Sequence, residues 1–248
     1  MNDEIINKDR INKDRIKNDN INNILVIIKK QLIDTFKNKT VLIQFIMFPL
    51  LTVIFEHAIK IDDMPEHFFT KLFSVMYIGM APLTSVASII AEEKERNTLR
   101  VLIMANVKPV QYLLGVCIYV WTICMMGAGV IATGLDSRDI PFYMLIMAIG
   151  FAISALTGAC IGLYAKNQMA ATSAVMPVMV VFAFLPMLSM FNDNIKKIAK
   201  FFYTEQLKRL LDEMTFDGMK TSTGVILAVN AVLMMLLFLG LFKKKGLE

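Results

Sequence analysis

The chain has 248 residues, of which 56% are hydrophobic and only 19% charged, with a formal net charge of +5. Its apolar residues gather into uninterrupted runs of roughly 20, the length that crosses a bilayer, which excludes an ordinary soluble domain. The runs are continuous rather than alternating, which leaves helices and not a barrel. The positive charge then reads as membrane topology, and no nucleic-acid partner is expected.

The predicted elements follow in chain order. Residues 1–20 carry the imperfect repeat INKDR-INKDR-IKNDN, whose period fits neither a helix face nor a strand, and they read as a disordered, solvated tail. No cleavable leader is expected in so polar a start. Over 21–39 apolar residues recur at spacings of three and four, with Ile24, Ile28, Leu32 and Phe36 on one stripe. That spacing predicts an amphipathic helix at the membrane surface. Six transmembrane spans are expected, at 40–59, 72–91, 110–134, 141–164, 170–190 and 223–242. The prolines at 49, 82, 177 and 186 are compatible with spans, because neighbouring helices can satisfy the freed backbone groups.

Between the fifth and sixth spans, 193–214 carries two short apolar stripes. Ile195, Ile198, Ala199 and Phe202 form one, and Leu207, Leu210, Leu211 and Met214 the other, with a loss of register at Tyr203-Thr204. Two amphipathic helices resting at or dipping into the outer leaflet are expected there. Within the fourth span Gly150, Ser154, Gly158 and Gly162 recur every four residues, a small-residue face that admits a close helix neighbour. Most of the 26 basic residues precede the first span, follow the second and fourth, or sit in the 243–248 tail. With an even number of spans, both termini are expected to be cytoplasmic.

Several chemistries are missing. No glycine is followed by the Lys-Ser or Lys-Thr of a phosphate-binding loop, so no ATP site of that kind is expected in this chain. His57 and His67 have no metal-ligand spacing, and Cys117, Cys124 and Cys160 fall inside apolar runs as packing residues; no metal ligand and no catalytic residue is assigned. The middle thirds of spans two to six hold almost no ionisable side chain, which argues against a carrier driven by an ion gradient. Glu56 comes nearest. With Phe202, Leu207 and Leu211 it is a candidate for the outer mouth of a pathway.

A dense knot of charge between two apolar runs lies in AEEKERNTLRVL, from Ala91 to Leu102. Leu99, Leu102 and Ile103 share one helical face, while Glu92, Glu95, Arg96 and Arg100 lie largely off it. A short amphipathic helix over 92–105 is expected at the cytoplasmic end of span two, either as an anchor or as a surface for a soluble partner. A CAAX-type membrane protease motif is excluded, because Arg96 comes one residue early after Glu92-Glu93 and no later span holds a histidine.

The longer segment EEKERNTLRVLIMANVKPVQYLLG resembles the stretch after the second span of ABC-2 type transporter permeases. Glu93 and Glu95 match the family's acids, Thr98-Leu99 its Thr-Leu, Leu102-Ile103 its Leu-Leu and Gly115 its closing glycine. Asn97 stands where a glycine is usual, and Ala105-Asn106 where Thr-Pro is usual. FFYTEQLKRLLDEM is similar to the family's segment before the last span. The resemblance implies an all-α six-span domain over 40–242 in a bacterial plasma membrane. It also implies export of an amphiphilic cargo such as a drug, an antimicrobial peptide or a lipid-like molecule. ATP and Mg²⁺ would be handled by a separate ATPase chain, and a second permease copy or paralogue would complete the assembly in the lipid bilayer. The ATPase-coupling residues would be Glu92, Glu93, Glu95, Arg96, Thr98, Leu99, Arg100, Leu102 and Ile103, and the 21–39 helix would supply the other part of that contact. A secondary carrier and a non-transporting anchor or immunity subunit are the alternatives.

Overall fold

The computed structural model describes residues 22–36, 39–59, 65–105, 107–214 and 221–245. The expected 1–20 tail, the ends of the 21–39 helix, Asn106 and the last three residues lie outside the described residues. Among those described, every regular element is helical. Helix α1 covers 22–36. It is followed by α2 (Lys39–Ala58), α3 (Phe68–Glu95), α4 (Thr98–Met104), α5 (Pro109–Ala132) and α6 (Ile140–Tyr164). Next come α7 (Gln168–Met179), a π-helical turn (Val180–Phe184), α8 (Leu185–Leu188), α9 (Asp193–Ala199), α10 (Tyr203–Glu213) and α11 (Thr221–Lys245).

Five helical rods are long and apolar enough to cross a membrane: α3, α5, α6, the continuous 168–188 rod and α11. Helices suit that solvent because each segment satisfies its own backbone hydrogen bonds. The apolar part of α2 is shorter, Leu42–Ala58.

Helix α3 sits at the centre and touches α2, α4, α5, α6, α7, the π turn and α10. Its closest neighbour is α6, and the small residues of α6 are the reason. A Cβ on Gly158 would stand 2.5 Å from the Leu83 carbonyl oxygen, one on Gly162 2.8 Å from Ile90 Cβ, and one on Gly150 2.8 Å from Ile78 Cγ2. Ser154, on the same face, donates to the Ile78 carbonyl at 2.5 Å and lies 2.7 Å from the Tyr203 hydroxyl. Lipid tails are as apolar as leucine, so such close packing, rather than expulsion of water, holds the pair together.

The fifth expected span is a rod with a wide turn in it. Pro186 has no N–H for the Phe182 carbonyl four residues earlier, and the helix relaxes to π geometry just there. The widened turn lies on Gly79 of α3, where a Cβ would come within 2.7 Å of the Phe182 backbone.

Two features differ from the sequence expectation. Helix α3 starts at Phe68, not 72, and runs through the charged segment to Glu95 instead of ending at 91. The extra turn is stitched down: Lys94 Nζ donates to the carbonyls of Leu163 and Ala165 at 3.0 and 2.9 Å, covering the negative end of α6. The separate surface helix is therefore only Thr98–Met104, not 92–105.

The second difference concerns 193–214. The chain does form two short helices, broken at 200–202, just before the expected loss of register at Tyr203-Thr204. Only α9 is largely exposed. Helix α10 is embedded in the bundle against α3, α6, α8 and α11, with Tyr203, Leu207 and Leu211 fully buried. The apolar face expected to meet lipid is taken up by protein.

Replacing Gly158 by Ala should lower the thermal stability of the detergent-purified protein by about 1–3 kcal/mol, the usual cost of overpacking. Gly240→Ala, where nothing lies within 4 Å, should leave the melting curve unchanged.

Candidate functional site

The site is built where α1, α3, α4 and α5 meet. Helix α1 climbs beside the first turns of α5. Asn23 Nδ2 donates to Gln111 Oε1 at 3.2 Å, and that oxygen also accepts the Lys108 N–H at 2.9 Å, capping α5. One turn on, Ile27 is buried in the notch left by Gly115, where a Cβ would meet Ile27 Cγ2 at 2.8 Å. Thr35 lies beside Tyr119. The packed stripe of α1 is thus Ile27, Gln31 and Thr35. Of the predicted stripe, Ile24 and Ile28 are half-buried, while Leu32 and Phe36 are exposed. The side of α1 turned to the bundle is partly polar, and the more apolar side faces outward, where a membrane-surface helix would meet lipid.

Glu93 is the centre of this junction. It is 6% exposed. Its Oε1 accepts from Lys30 Nζ at 2.6 Å and from the Gln31 amide. Its Oε2 is sealed from solvent beside the Tyr112 hydroxyl, which is also buried. A carboxylate this buried is costly unless charge-paired and hydrogen-bonded, and the two α1 side chains supply both. Glu93 therefore faces inward and is not displayed to a soluble partner.

Its charged neighbours divide the remaining tasks. Glu95 accepts the backbone N–H of Gln168 at 2.9 Å, so it caps the start of α7, where a negative group is favoured. Glu92 pairs with Arg96 at 2.9 Å, with the arginine 70% exposed. Asn97 takes the left-handed conformation, φ 57°, which asparagine tolerates better than most residues; this turn separates α4 from α3. Thr98 Oγ1 donates back to the Glu93 carbonyl at 3.2 Å, and Leu99 is buried. Leu102 is half-buried, whereas Arg100, Val101, Ile103 and Met104 are exposed. So α4 is pinned by one leucine and presents an arginine with an apolar patch.

The outer candidates do not assemble. Glu56 accepts from the Thr70 N–H and hydroxyl at 3.0 and 3.1 Å, with His67 at 3.9 Å, and so ties the end of α2 to the start of α3. Phe202 packs edge-on against Phe182, and Leu207 and Leu211 are core. They line no open mouth in this conformation. A different track is visible on α3. Met80, Thr84, Ser88 and Glu92, spaced by four, form a partly exposed stripe in an otherwise buried helix. Gln44 of α2 accepts from Thr84 and Ser85 at 3.2 and 3.1 Å, and Gln168 of α7 donates to Ser88 at 3.2 Å. Among the described residues no cluster of three metal-ligating side chains occurs.

The sequence pattern did not single out Lys30, Gln31, Asn23, Lys94 or Gln111. The available signal was the i, i+4 spacing of Asn23, Ile27, Gln31 and Thr35, a mixed-polarity stripe that hydrophobic periodicity passes over.

A family model described as ABC-2 family transporter protein matches residues 5–243. The chain belongs to that family. The match spans nearly the whole of it, including the junction and the outer helices. No curated protein matches the chain. As an ABC-2 family protein with several apolar membrane-length helices, it is a multi-pass membrane protein of a transport family.

Replacing Glu93 by Ala should free α1. Amide hydrogen exchange over 22–36 should quicken by on the order of tenfold, about 1.4 kcal/mol, in line with the loss of a charged hydrogen bond. Glu92→Gln breaks only a surface pair and should leave that exchange unchanged.

Proposed function

We propose that this ABC-2 protein is the transmembrane subunit of an ATP-binding cassette exporter. Its ATP and Mg²⁺ are handled by a separate ATPase chain, and two copies, or one copy and a paralogue, make the working pore. In this reading α2 is a sixth span, shorter than the rest, and both termini are cytoplasmic, as the distribution of Lys and Arg favours. The membrane is then a bacterial plasma membrane.

The observation that carries the reading is the buried Glu93 junction. It makes the end of the central span, the surface helix α1 and the pinned helix α4 into one mechanical unit. A push on α4 cannot be absorbed locally. It must move α3, and with it α6, to which α3 is bound through its smallest residues. That is what a chain needs if ATP-driven closure of a partner is to bias a two-state bundle. The docking patch is Arg100 with Val101, Ile103 and Met104, not Glu93. Glu93 and Glu95 hold the lever in place.

The cargo path runs along the α3 stripe, between α2 and α7. Its inner half is polar, at Ser88, Thr84 and Gln44, and its outer half apolar, at Met80 and beyond. That gradient suits an amphiphilic cargo, a drug, an antimicrobial peptide or a lipid-like molecule, moving outward.

The test is ATP-dependent flux of an amphiphilic dye in inverted membrane vesicles holding this chain and its ATPase. Arg100→Glu with Met104→Glu should lower flux and co-purification of the ATPase at least tenfold while exchange over 22–36 stays slow. Flux that persists without the ATPase, or survives these changes, would overturn the proposal.

A further inference from the structure

Away from the junction and the α3 stripe lies a cavity of mixed chemistry, of about 310 Å³. It lies between the start of α3, the π turn with α8, and the end of α10. Leu72, Val75, Ala183, Pro186 and Met187 supply apolar walls, and Lys71, Lys208 and Asp212 the polar part of the lining. The polar groups gather together. Lys71 Nζ reaches the Asp212 carbonyl at 3.4 Å, and Lys208 sits one helical turn before Asp212. Val75 and Ala183, both buried, close the opposite part. Val75 lies four residues along α3 from Lys71, about 6 Å deeper at the helical rise.

Two observations point to a ligand. The volume falls at the small end of the range for small-molecule pockets, about 300–1,000 Å³, wide enough for one alkyl chain and not two. Lys71 and Lys208 both act on the Asp212 carboxylate, which offsets one of their two charges, and among the described residues neither lysine closes an ion pair. Two ammonium groups against one carboxylate leave the rim net positive, which favours an anion there, and the recess favours a hydrocarbon tail beneath it.

We propose that this cavity binds a single alkyl chain ending in an anionic head, a carboxylate or a phosphate, with the head between Lys71 and Lys208 and the chain toward Val75 and Ala183. The site needs no ATPase and no transport, so it stands or falls separately from the exporter reading. Two sources carry this chemistry, a free fatty-acid-like amphiphile and one chain of an anionic membrane lipid.

The test is equilibrium binding of 11-(dansylamino)undecanoic acid to the full chain in nanodiscs of zwitterionic lipid, with empty nanodiscs as background. Saturable binding is expected. It should weaken at least tenfold in Lys71→Glu/Lys208→Glu, several-fold in Lys71→Gln/Lys208→Gln, and vanish in Met187→Trp, which fills the recess. Dodecyl sulfate should displace the probe and dodecyltrimethylammonium should not. Displacement by added phosphatidylglycerol assigns the site to lipid, and its failure assigns it to free amphiphiles; either supports the proposal. Unchanged affinity in the folded Gln variant, or equal displacement by the cationic detergent, would overturn it.

Discussion

A carboxylate buried at the end of the central span must be neutralised where it sits, and Glu93 is neutralised from another helix. Lys30 and Gln31 come from α1, so the lowest-energy position of α1 is set by a charge on α3. Ile27 in the Gly115 notch fixes the same helix against α5, and Asn23 on Gln111 fixes its start. The end of α3 and the start of α5 are joined to α1 by two polar contacts and one shape fit. Around them Lys94 covers the end of α6 and Glu95 covers the beginning of α7. Three of the segment's charged side chains, Glu93, Lys94 and Glu95, are therefore spent on tying α3 to α1, α6 and α7.

From this tie the rest of the bundle follows. Helix α3 carries the tie at one end and contacts most of the other helices along its length. Its contact with α6 relies on the absence of side chains on α6, and its contact with the π turn relies on the absence of one at Gly79. Such backbone-to-backbone contacts have little room to slide. Motion imposed on α3 is passed on as movement of rigid pieces. Toward the other end of α3, α10 is held by Tyr203 on Ser154 and by Glu205 on Ser189, so that end is cross-linked by buried polar contacts as well.

The long helices were legible in the sequence because hydrocarbon-length apolar runs admit few structures. The α6 ladder was legible because small residues every four positions have few other uses in a span. The turn at Asn97 was not read, because a helix over 92–105 was expected to run through it, although asparagine in a glycine's place tolerates positive φ. The polarity of α1 was not read either. Hydrophobic periodicity picks out the stripe with Leu32 and Phe36 and passes over the mixed stripe beside it. At a membrane, lipid can take that stripe, and the face left for protein includes Gln31 and Thr35. The same ambiguity hid the seat of α10, whose stripe could serve a bilayer or a bundle equally well. Glu93 looked like part of a surface cluster because sequence spacing cannot tell which of several adjacent acids points inward.

The central claim is that α1 is seated on α3 and α5 in the working protein. It is tested most directly by thiol cross-linking in native membranes, with Cys117, Cys124 and Cys160 replaced by Ala and a short bifunctional reagent. Asn23→Cys paired with Gln111→Cys should link rapidly, and Leu25→Cys, on the exposed side of α1, paired with Gln111→Cys should not. If both pairs link at the same rate, or the first pair stays free in correctly inserted protein, α1 is not held as described and the lever built on Glu93 does not exist.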